Sequence, residues 1–324
     1  MNSRQRFQET MRYGTPDRLP CLEEGLRDEV LERWREQGLA ENADLERMFH
    51  YDRREWVPVN LDLLPGLKKW PTSRRGLKAL RRRLDPDTPG RFPEDWAARV
   101  KAWRKREHIL DLRLHSGFFL SMGVHDWTRF LEAVFLVSDA PALVREILEI
   151  RAELAARVAE RVLDEVEVDC ASFSEPIGGN DRPLLSPRLY EDVVLPTYRP
   201  VLDVLRRRGV ETIMMVTYAN ARALAPGMVR AGFNCLWACE VEPTAMDYRA
   251  LRRQFGRDLR LIGGIDLDAL LAGKAAIRRE FKLKVRPLMA QGGYVPLADG
   301  RIRPNVPFKN YVYYRRLLEQ AARS

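Results

Sequence analysis

The chain has 324 residues, of which 45% are hydrophobic and 31% charged, with a formal net charge of +9 at pH 7. This balance is that of a globular protein with an ordinary core, and it excludes a disordered chain. No apolar run approaches the roughly 20 residues that span a bilayer, and the charged N-terminus lacks the apolar segment of a signal peptide. We therefore expect a cytoplasmic protein.

Short apolar segments alternate with amphipathic helical patterns along the chain. The predicted strands are Arg18–Leu22, Trp56–Leu61, Ile109–His115, Glu165–Phe173, Val210–Thr217, Phe233–Cys239, Leu259–Ile265 and Gly293–Leu297. The predicted helices are Leu26–Gln37, Ala140–Leu163, Pro187–Arg208, Ala221–Ala231, Ala245–Phe255, Leu267–Leu288 and Pro307–Ala322. Eight such units predict an α/β fold, a (β/α)8 TIM barrel of one domain over residues 1–324. An open doubly wound sheet is the alternative, but no glycine-rich dinucleotide fingerprint follows an early strand.

The region from Leu64 to Trp103 interrupts this alternation with several prolines and the basic segment Arg74–Arg83. We interpret it as an irregular excursion on the barrel surface between predicted strands 2 and 3. Leucines at helical spacing indicate that the basic residues of Arg74–Arg83 form the solvated face of a helix. No nucleic-acid-binding motif accompanies them, and the charge also suits an anionic small-molecule ligand.

The cysteines are few and widely spaced, at Cys21, Cys170, Cys235 and Cys239. This pattern favours reduced thiols over disulfides. Cys235 and Cys239 lie in an apolar segment, and we interpret them as small buried side chains, because a zinc site needs more ligands at closer spacing. We predict neither a bound metal nor a cofactor.

Several segments resemble the uroporphyrinogen decarboxylase superfamily, which includes cobamide-dependent methyltransferases. They are RQRFQETMRYGTPDRLP near the N-terminus, PLLSPRLYEDVVLPTYRPVLDVLRRRG, ACEVEPTAMDYRALRRQFGRDLRLIGGID and GGYVPLADGRIRPNVPFKNY. The resemblance covers nearly the whole chain. It implies a (β/α)8 barrel with its site at the C-terminal mouth of the strands, and a tendency to form homodimers.

Three features of that family differ in this sequence. The first loop reads CLEEGLRDEVLERW, with Glu23 and Glu24 where the family's decarboxylases have substrate-binding arginines. Gly300 takes the position of a histidine on the last loop. Val216 and Tyr218 take the positions of the zinc-binding His-x-Cys of the methyltransferases, so thiol activation by that route is not expected.

Polar residues at the predicted strand ends are candidates for the site. Glu175 and His115 end two of the strands and suit general acid–base work, with a buried structural role as the alternative for each. Tyr218 can donate its phenol to a ligand oxygen. Asp62 is the acid nearest to the position at which the family's decarboxylases hold pyrrole N–H groups. We predict these four residues as catalytic.

A second group of polar residues is predicted to bind the substrate. Arg301 and Arg303 can bind a carboxylate bidentately, with solvent exposure as the alternative. Turn formation or helix capping is the alternative for several of the others. The predicted substrate-binding residues are Asn60, Asn180, Asp181, Asn220, Glu240, Asp266, Arg301 and Arg303.

Three functions are compatible with this pattern. The first is a divergent decarboxylase-like enzyme that acts on a carboxylated small molecule at the barrel mouth. The second is a methyltransferase or demethylase that works with a corrinoid protein without the His-x-Cys zinc site. The third is a non-catalytic ligand-binding barrel. The expected partner is an anionic small molecule, with a corrinoid protein under the second hypothesis; neither a nucleic acid nor a membrane is expected.

Overall fold

The computed structural model describes residues 1–67, 69–239 and 245–322. One parallel sheet contains, in chain order, β1 (Arg54–Trp56), β2 (Ile109–His115), β3 (Cys170–Glu175), β4 (Ile213–Tyr218), β5 (Cys235–Cys239), β6 (Arg260–Gly263) and β7 (Tyr294–Val295). The α-helices are α1 (Ser3–Met11), α2 (Val30–Arg35), α3 (Leu45–Met48), α4 (Leu77–Arg83), α5 (Trp96–Trp103), α6 (Phe118–Ser121), α7 (Trp127–Asp139), α8 (Pro141–Glu165), α9 (Pro187–Leu189), α10 (Leu195–Arg207), α11 (Ala225–Ala231), α12 (Tyr248–Phe255), α13 (Leu267–Ala272), α14 (Lys274–Glu280), α15 (Arg286–Met289) and α16 (Phe308–Ala322). Short 3-10 turns lie at Arg74–Gly76, Arg222–Leu224 and Gly256–Asp258, and π-helical turns at Tyr190–Val194 and Phe281–Val285.

Each strand pairs in parallel with its neighbours in the chain, because helical connections return the chain to the same end of the sheet. α8, between β2 and β3, is typical of these connections. Pro141 occupies its first turn, where a missing N–H costs nothing, and Ile147, Leu154 and Val158 are buried along its inner side. None of the helices in the described residues is long and apolar enough to cross a membrane.

The prediction of a strand at Arg18–Leu22 is wrong, and within the described ranges the sheet has seven strands where eight were predicted. Carboxylate side chains accept hydrogen bonds from backbone N–H groups that a strand would donate to its neighbours. The Cys21 N–H donates to Asp52 Oδ2 at 2.7 Å, and the Arg18 N–H donates to Asp17 Oδ1 at 2.9 Å. Pro20 has no N–H to donate. These bonds hold the segment in place without a ladder.

The same segment still spans the gap between β7 and β1. On the β1 side, the Asp52 N–H donates to the Cys21 carbonyl at 2.9 Å. On the β7 side, the Ile302 N–H donates to the Gly25 carbonyl at 2.9 Å, and the Arg27 N–H donates to the Ile302 carbonyl at 3.0 Å. The seven-stranded sheet is therefore continued by irregular backbone into a barrel-like architecture.

The amino ends of the strands form a second, inner core. Ile109, Cys170 and Cys235 begin three of the strands and pack in one buried cluster with Phe7 and Met11 of α1. The four cysteines are free thiols, as the sequence predicts. α1 thus covers the end of the barrel at which the strands begin. The carboxyl ends of the strands lie at the opposite end of the barrel.

The long connection between β1 and β2 contains the first 3-10 turn, α4 and α5. Leu77 and Leu80 are buried on α4, and its basic side is exposed, which confirms the predicted solvated face. Buried Arg91 holds this connection together by donating hydrogen bonds to backbone carbonyl groups. Its Nη1 donates to the Asn60 carbonyl at 3.1 Å and its Nη2 to the Arg83 carbonyl at 2.8 Å.

Candidate functional site

A cavity of about 570 Å³ opens at the carboxyl ends of the first five strands. This is the face on which the resemblance places the site. Alternate strand positions form its walls, because successive side chains of a strand point to opposite faces. β2 contributes Asp111, Arg113 and His115, and the leucines between them are buried in the outer core. We call this space the mouth cavity.

Two arginines line the mouth cavity, Arg54 from β1 and Arg113 from β2. Neither the Arg54 nor the Arg113 guanidinium is hydrogen-bonded or ion-paired to another residue in the part of the chain that the structure describes. Arg54 lies over the rings of Trp237 and Trp56, with its Cζ 4.6 and 5.1 Å from their centroids, and Arg113 lies over Trp56 at 4.0 Å. Cation–π contacts restrain both guanidinium groups while leaving their N–H donors available to a ligand.

Three acids also line the mouth cavity, at Glu24, Asp62 and Asp111. Burial raises the pKa of Asp111, although the charge of Arg54 and a 2.8 Å hydrogen bond from Ser172 Oγ oppose the shift. Burial likewise raises the pKa of Glu24 against the opposing charge of Arg54. Two guanidinium groups and three carboxyl groups leave the cavity close to charge balance.

His115 lines the cavity as a neutral imidazole. Its Nδ1 accepts the Gly117 N–H at 2.8 Å, which assigns the ring proton to Nε2, 3.4 Å from Ser121 Oγ. Burial lowers the pKa of His115 to about 3, and the charge of Arg151 adds to the effect. At neutral pH the Nε2–H of this ring can donate a hydrogen bond, but the ring carries no charge.

Glu175 is buried and is not part of the cavity lining. Its carboxylate accepts the Phe118 N–H at 2.7 Å, the Tyr190 hydroxyl at 3.1 Å and the Tyr198 hydroxyl. These bonds fasten the end of β3 to the start of α6 and to the helical segment that contains both tyrosines. The geometry corresponds to the structural role that the sequence left open as the alternative.

We expect the anchor at Glu175 to make stability depend on pH. Burial raises its pKa from 4.5 to about 7, against the opposing hydrogen bond from Tyr198. Its contribution to stability is therefore fully present below pH 4.5 and is lost as the pH rises through about 7. Over that interval we expect the free energy of unfolding of the wild type to fall by about 3 kcal/mol relative to Glu175→Gln.

Urea unfolding of wild type and Glu175→Gln at pH 5 and pH 8 measures this difference. Exposed Glu94 provides a matched control, and Glu94→Gln should track the wild type at both pH values. A constant difference between wild type and Glu175→Gln across the pH range would show that Glu175 does not titrate in this interval.

Asn60, Asp62 and Tyr218 also line the mouth cavity. The Asn60 Oδ1 accepts the Asp62 N–H at 2.8 Å, so this amide shapes the loop after β1. The Asp62 side chain is exposed at the rim. Of the four residues predicted as catalytic, the structure thus brings His115, Asp62 and Tyr218 to one cavity and places Glu175 outside its lining.

Asn180, Asp181 and Asn220 lie together in loops that follow β3 and β4. The Asn220 N–H donates to the Gly179 carbonyl at 2.9 Å, and its Nδ2 donates to the Asp181 carbonyl at 2.9 Å. Asn180 and Asp181 are exposed. These contacts join the two loops, and none of the three residues belongs to the cavity lining.

Asp266, Arg301 and Arg303 lie in the loops that follow β6 and β7. Asp266 caps α13 by accepting the Asp268 N–H at 2.8 Å, as the capping alternative predicts. Arg303 donates to Asp268 Oδ1 at 2.9 Å, and Arg301 is exposed. Glu240 lies outside the described residues.

The first loop separates the two glutamates that replace the family's arginines. Glu24 lines the mouth cavity. Glu23 is buried in a polar network, where its Oε2 accepts the Tyr311 hydroxyl at 2.7 Å and lies 3.4 Å from Arg315 Nη1. Glu23 is therefore a structural acid that fastens the first loop to α16.

Arg54, Asp111, Arg113 and Trp237 are missing from the sequence-based candidates. The available signal is the alternation in ILDLRLH of β2, where each polar residue is separated from the next by a leucine. In a barrel strand with its outer face against helices, such alternation places the polar residues inside. Residues deeper in the barrel, such as Asp111, do not lie at strand ends and are missed when only strand ends are considered.

Comparison with known proteins identifies the family. The uroporphyrinogen decarboxylase (URO-D) family model matches residues 123–317. A solved structure of a methyltransferase from Methanosarcina mazei has a TM-score of 0.62 over 99% of both chains, with 14% sequence identity. At this identity the similarity concerns the fold. No protein with a curated description matches the chain.

Proposed function

Because the chain belongs to the uroporphyrinogen decarboxylase family, we propose that it is a divergent decarboxylase-like enzyme for a small carboxylated molecule. The proposal rests on Arg54 and Arg113, whose guanidinium edges face the mouth cavity without partners among the described residues. Guanidinium groups with free edges are well matched to carboxylates, which they bind with two parallel hydrogen bonds. The arginines come from strands instead of from the first loop.

The reacting carboxylate loses its charge during decarboxylation, so we assign these arginines to a different carboxylate of the substrate, which they anchor. A carboxylate that leaves as carbon dioxide loses its negative charge, so tight pairing with arginine would hold the ground state more strongly than the transition state. The substrate therefore carries an anchoring carboxylate at Arg54 and Arg113 and a second, reacting carboxylate. The apolar wall at Met214 and Val216 suits the second group, since it offers no charge to hold it.

Asp111 is the proposed proton donor. When the bond between the carboxylate and carbon breaks, its electron pair stays on carbon, and this carbon takes a proton as carbon dioxide leaves. Burial favours the protonated form of Asp111, and its carboxyl group lies in the cavity lining. Asp111 is left as a carboxylate and takes a new proton from solvent after the step. Ser172 Oγ, 2.8 Å from Asp111 Oδ1, orients the carboxyl group.

The cavity favours a small substrate over a polycarboxylate tetrapyrrole. Its volume of about 570 Å³ lies within the range of ordinary small-molecule sites. Two arginines and three acids in the lining cannot neutralise a ligand with many negative charges. We expect a substrate with two carboxylates, one anchored and one reacting, and with hydrogen-bond donors that can meet the acids.

We expect Asp111→Asn to lower kcat by about 100-fold or more, with little change in substrate affinity, because the amide cannot supply the proton. Carbon dioxide release from a panel of small mono- and dicarboxylates, with uroporphyrinogen included, identifies the substrate. Asp87→Asn at an exposed position is the matched control and should keep full turnover. Release from uroporphyrinogen alone, or full activity of Asp111→Asn, would contradict this assignment.

Methyl transfer with a corrinoid protein is the second candidate, favoured by the fold similarity to the methyltransferase. Val216 and Tyr218 both line the cavity, so the positions of the His-x-Cys face the site without zinc ligands. Across residues 1–67, 69–239 and 245–322, no cluster of three His, Cys, Asp or Glu residues is placed for a metal. Formation of methylcobalamin from cob(I)alamin and a methylated donor, read from the visible spectrum, would favour this candidate.

A further inference from the structure

The mouth cavity contains opposite charges that do not pair with each other. Arg54 and Arg113 provide two guanidinium groups, and Glu24, Asp62 and Asp111 provide three carboxyl groups. Among the residues that the structure describes, no guanidinium nitrogen of these arginines lies within 4.0 Å of a carboxyl oxygen of these acids. Cations and acids therefore stay apart around a space that a ligand can enter, and a ligand that carries both charges can pair with both.

Local contacts hold Glu24 and Arg54 in their separate places. The Glu24 N–H donates to Glu23 Oε1 at 2.9 Å, which ties this part of the first loop to a buried side chain. Arg54 lies over the rings of Trp56 and Trp237. Movement of Arg54 towards Glu24 would break its contacts with both rings. The site therefore favours pairing with a ligand over an internal salt bridge.

The Glu24 carboxyl group lacks a hydrogen-bond donor in the described part of the chain. Burial raises its pKa, because the charged form loses water, and the charges of Arg54 and Arg113 oppose the shift only from a distance. An ammonium group beside Glu24 would supply up to three N–H donors and a positive charge. Both effects favour the carboxylate form, so a ligand ammonium is well matched to this acid.

We propose that the substrate carries an ammonium group, which Glu24 binds beside the carboxylate that Arg54 and Arg113 anchor. This inference deepens the proposed function and rests on it. Glu24 and Arg54 come from adjacent parts of the barrel wall, because the first loop fills the gap next to β1. The ammonium and the anchored carboxylate are therefore close together in the ligand, as in the head group of an amino acid. The substrate class is an amino dicarboxylate, whose second carboxylate reacts.

The charge balance of the mouth cavity supports an ammonium group on the substrate. With Asp111 protonated as the proton donor, the two guanidinium groups balance the carboxylates of Glu24 and Asp62. A substrate with two carboxylates and no cation would add two negative charges that nothing in the lining compensates. An ammonium group lowers this excess to one charge, which matters most where water is partly excluded.

Calorimetric titration of the purified chain with matched pairs of ligands tests the substrate class. The pairs are succinate with aspartate, glutarate with glutamate, and adipate with 2-aminoadipate, and the members of each pair differ only in the ammonium group. We expect the wild type to bind the amino member at least about 10-fold more tightly in the pair whose length fits. Equal affinity within every pair would overturn the inference and leave the proposed function in place. Failure of all six ligands to bind would contradict both.

Glu24→Gln tests which residue binds the ammonium group. The variant should lose the preference for the amino member and bind the plain dicarboxylate at least as tightly as the wild type, because one negative charge has left the cavity. Unchanged binding of the plain dicarboxylate also shows that the variant is folded. Glu29→Gln, at an exposed position four residues from the end of that loop segment, is the matched control and should keep the preference.

Two further variants keep the assignment testable if Glu24→Gln is unstable. Glu24→Asp retains the charge on a shorter side chain and should keep part of the preference for the amino member. Asp62→Asn removes the acid at the rim of the cavity and should leave most of the preference. A preference that disappears in Asp62→Asn but persists in Glu24→Asp and Glu24→Gln would overturn the role of Glu24.

Discussion

The double variant Arg54→Gln, Arg113→Gln should bind a carboxylated substrate at least about 100-fold more weakly than the wild type. Each arginine supplies charge-assisted hydrogen bonds worth about 1.5–3 kcal/mol, and each 1.4 kcal/mol corresponds to tenfold in affinity. The two guanidinium groups have no partners among the described residues that would hold them away from a ligand. Calorimetric titration and kcat/KM for the substrate found by carbon dioxide release measure the loss.

The neighbouring arginine gives a matched control. Arg53 precedes β1, its side chain is 67% exposed, and it lies 3.4 Å from Glu55. Arg53→Gln changes the net charge as Arg54→Gln does, but it leaves the mouth cavity intact. Equal losses of substrate affinity in Arg53→Gln and Arg54→Gln would show that the effect comes from the change in net charge alone. Arg54→Lys should bind the substrate more tightly than Arg54→Gln but more weakly than the wild type, because lysine cannot form two parallel hydrogen bonds to a carboxylate.

Arg315→Met should lower the free energy of unfolding by about 3–5 kcal/mol, because it leaves the buried Glu23 without its cation. Arg315 Nη1 lies 3.4 Å from Glu23 Oε2 and donates to the Leu22 carbonyl at 3.0 Å. The guanidinium also lies over the Tyr51 ring, with its Cζ 4.4 Å from the centroid. The variant therefore loosens the first loop where it fills the gap between β7 and β1.

Urea unfolding measures this loss, and the adjacent Arg316 provides the control. Arg316 is exposed, so Arg316→Met should change the stability by less than about 0.5 kcal/mol. Adding Glu23→Gln to Arg315→Met should recover part of the loss, because the unpaired buried charge is removed. If Arg315→Met were as stable as Arg316→Met, the ion pair would have no role in holding the first loop.

Local patterns predict much of the fold. Ile109–His115 has the bounds predicted from the sequence, and α8 matches the predicted Ala140–Leu163 closely. Both are long periodic segments whose apolar residues face one core. The segment Arg18–Leu22 could not be recognised as irregular, because the Cys21 N–H donates to Asp52, more than thirty residues away. No local pattern reveals such a contact.

The site is less predictable, because the register decides which face a residue occupies. Glu175 ends β3 and satisfies the strand-end rule, yet Ser172 and Ser174 are the β3 residues that line the cavity. A step of one residue along a strand moves a side chain to the other face. Tyr218 of β4 occurs at an inward position and does line the cavity.

A crystal structure with the carboxylated substrate or an unreactive analogue bound tests the central claim most directly. We expect one ligand carboxylate in the mouth cavity, with its oxygens about 2.7–2.9 Å from the guanidinium nitrogens of Arg54 and Arg113. A ligand held instead by Arg301 and Arg303, with the guanidinium groups of Arg54 and Arg113 still unpartnered, would contradict the account.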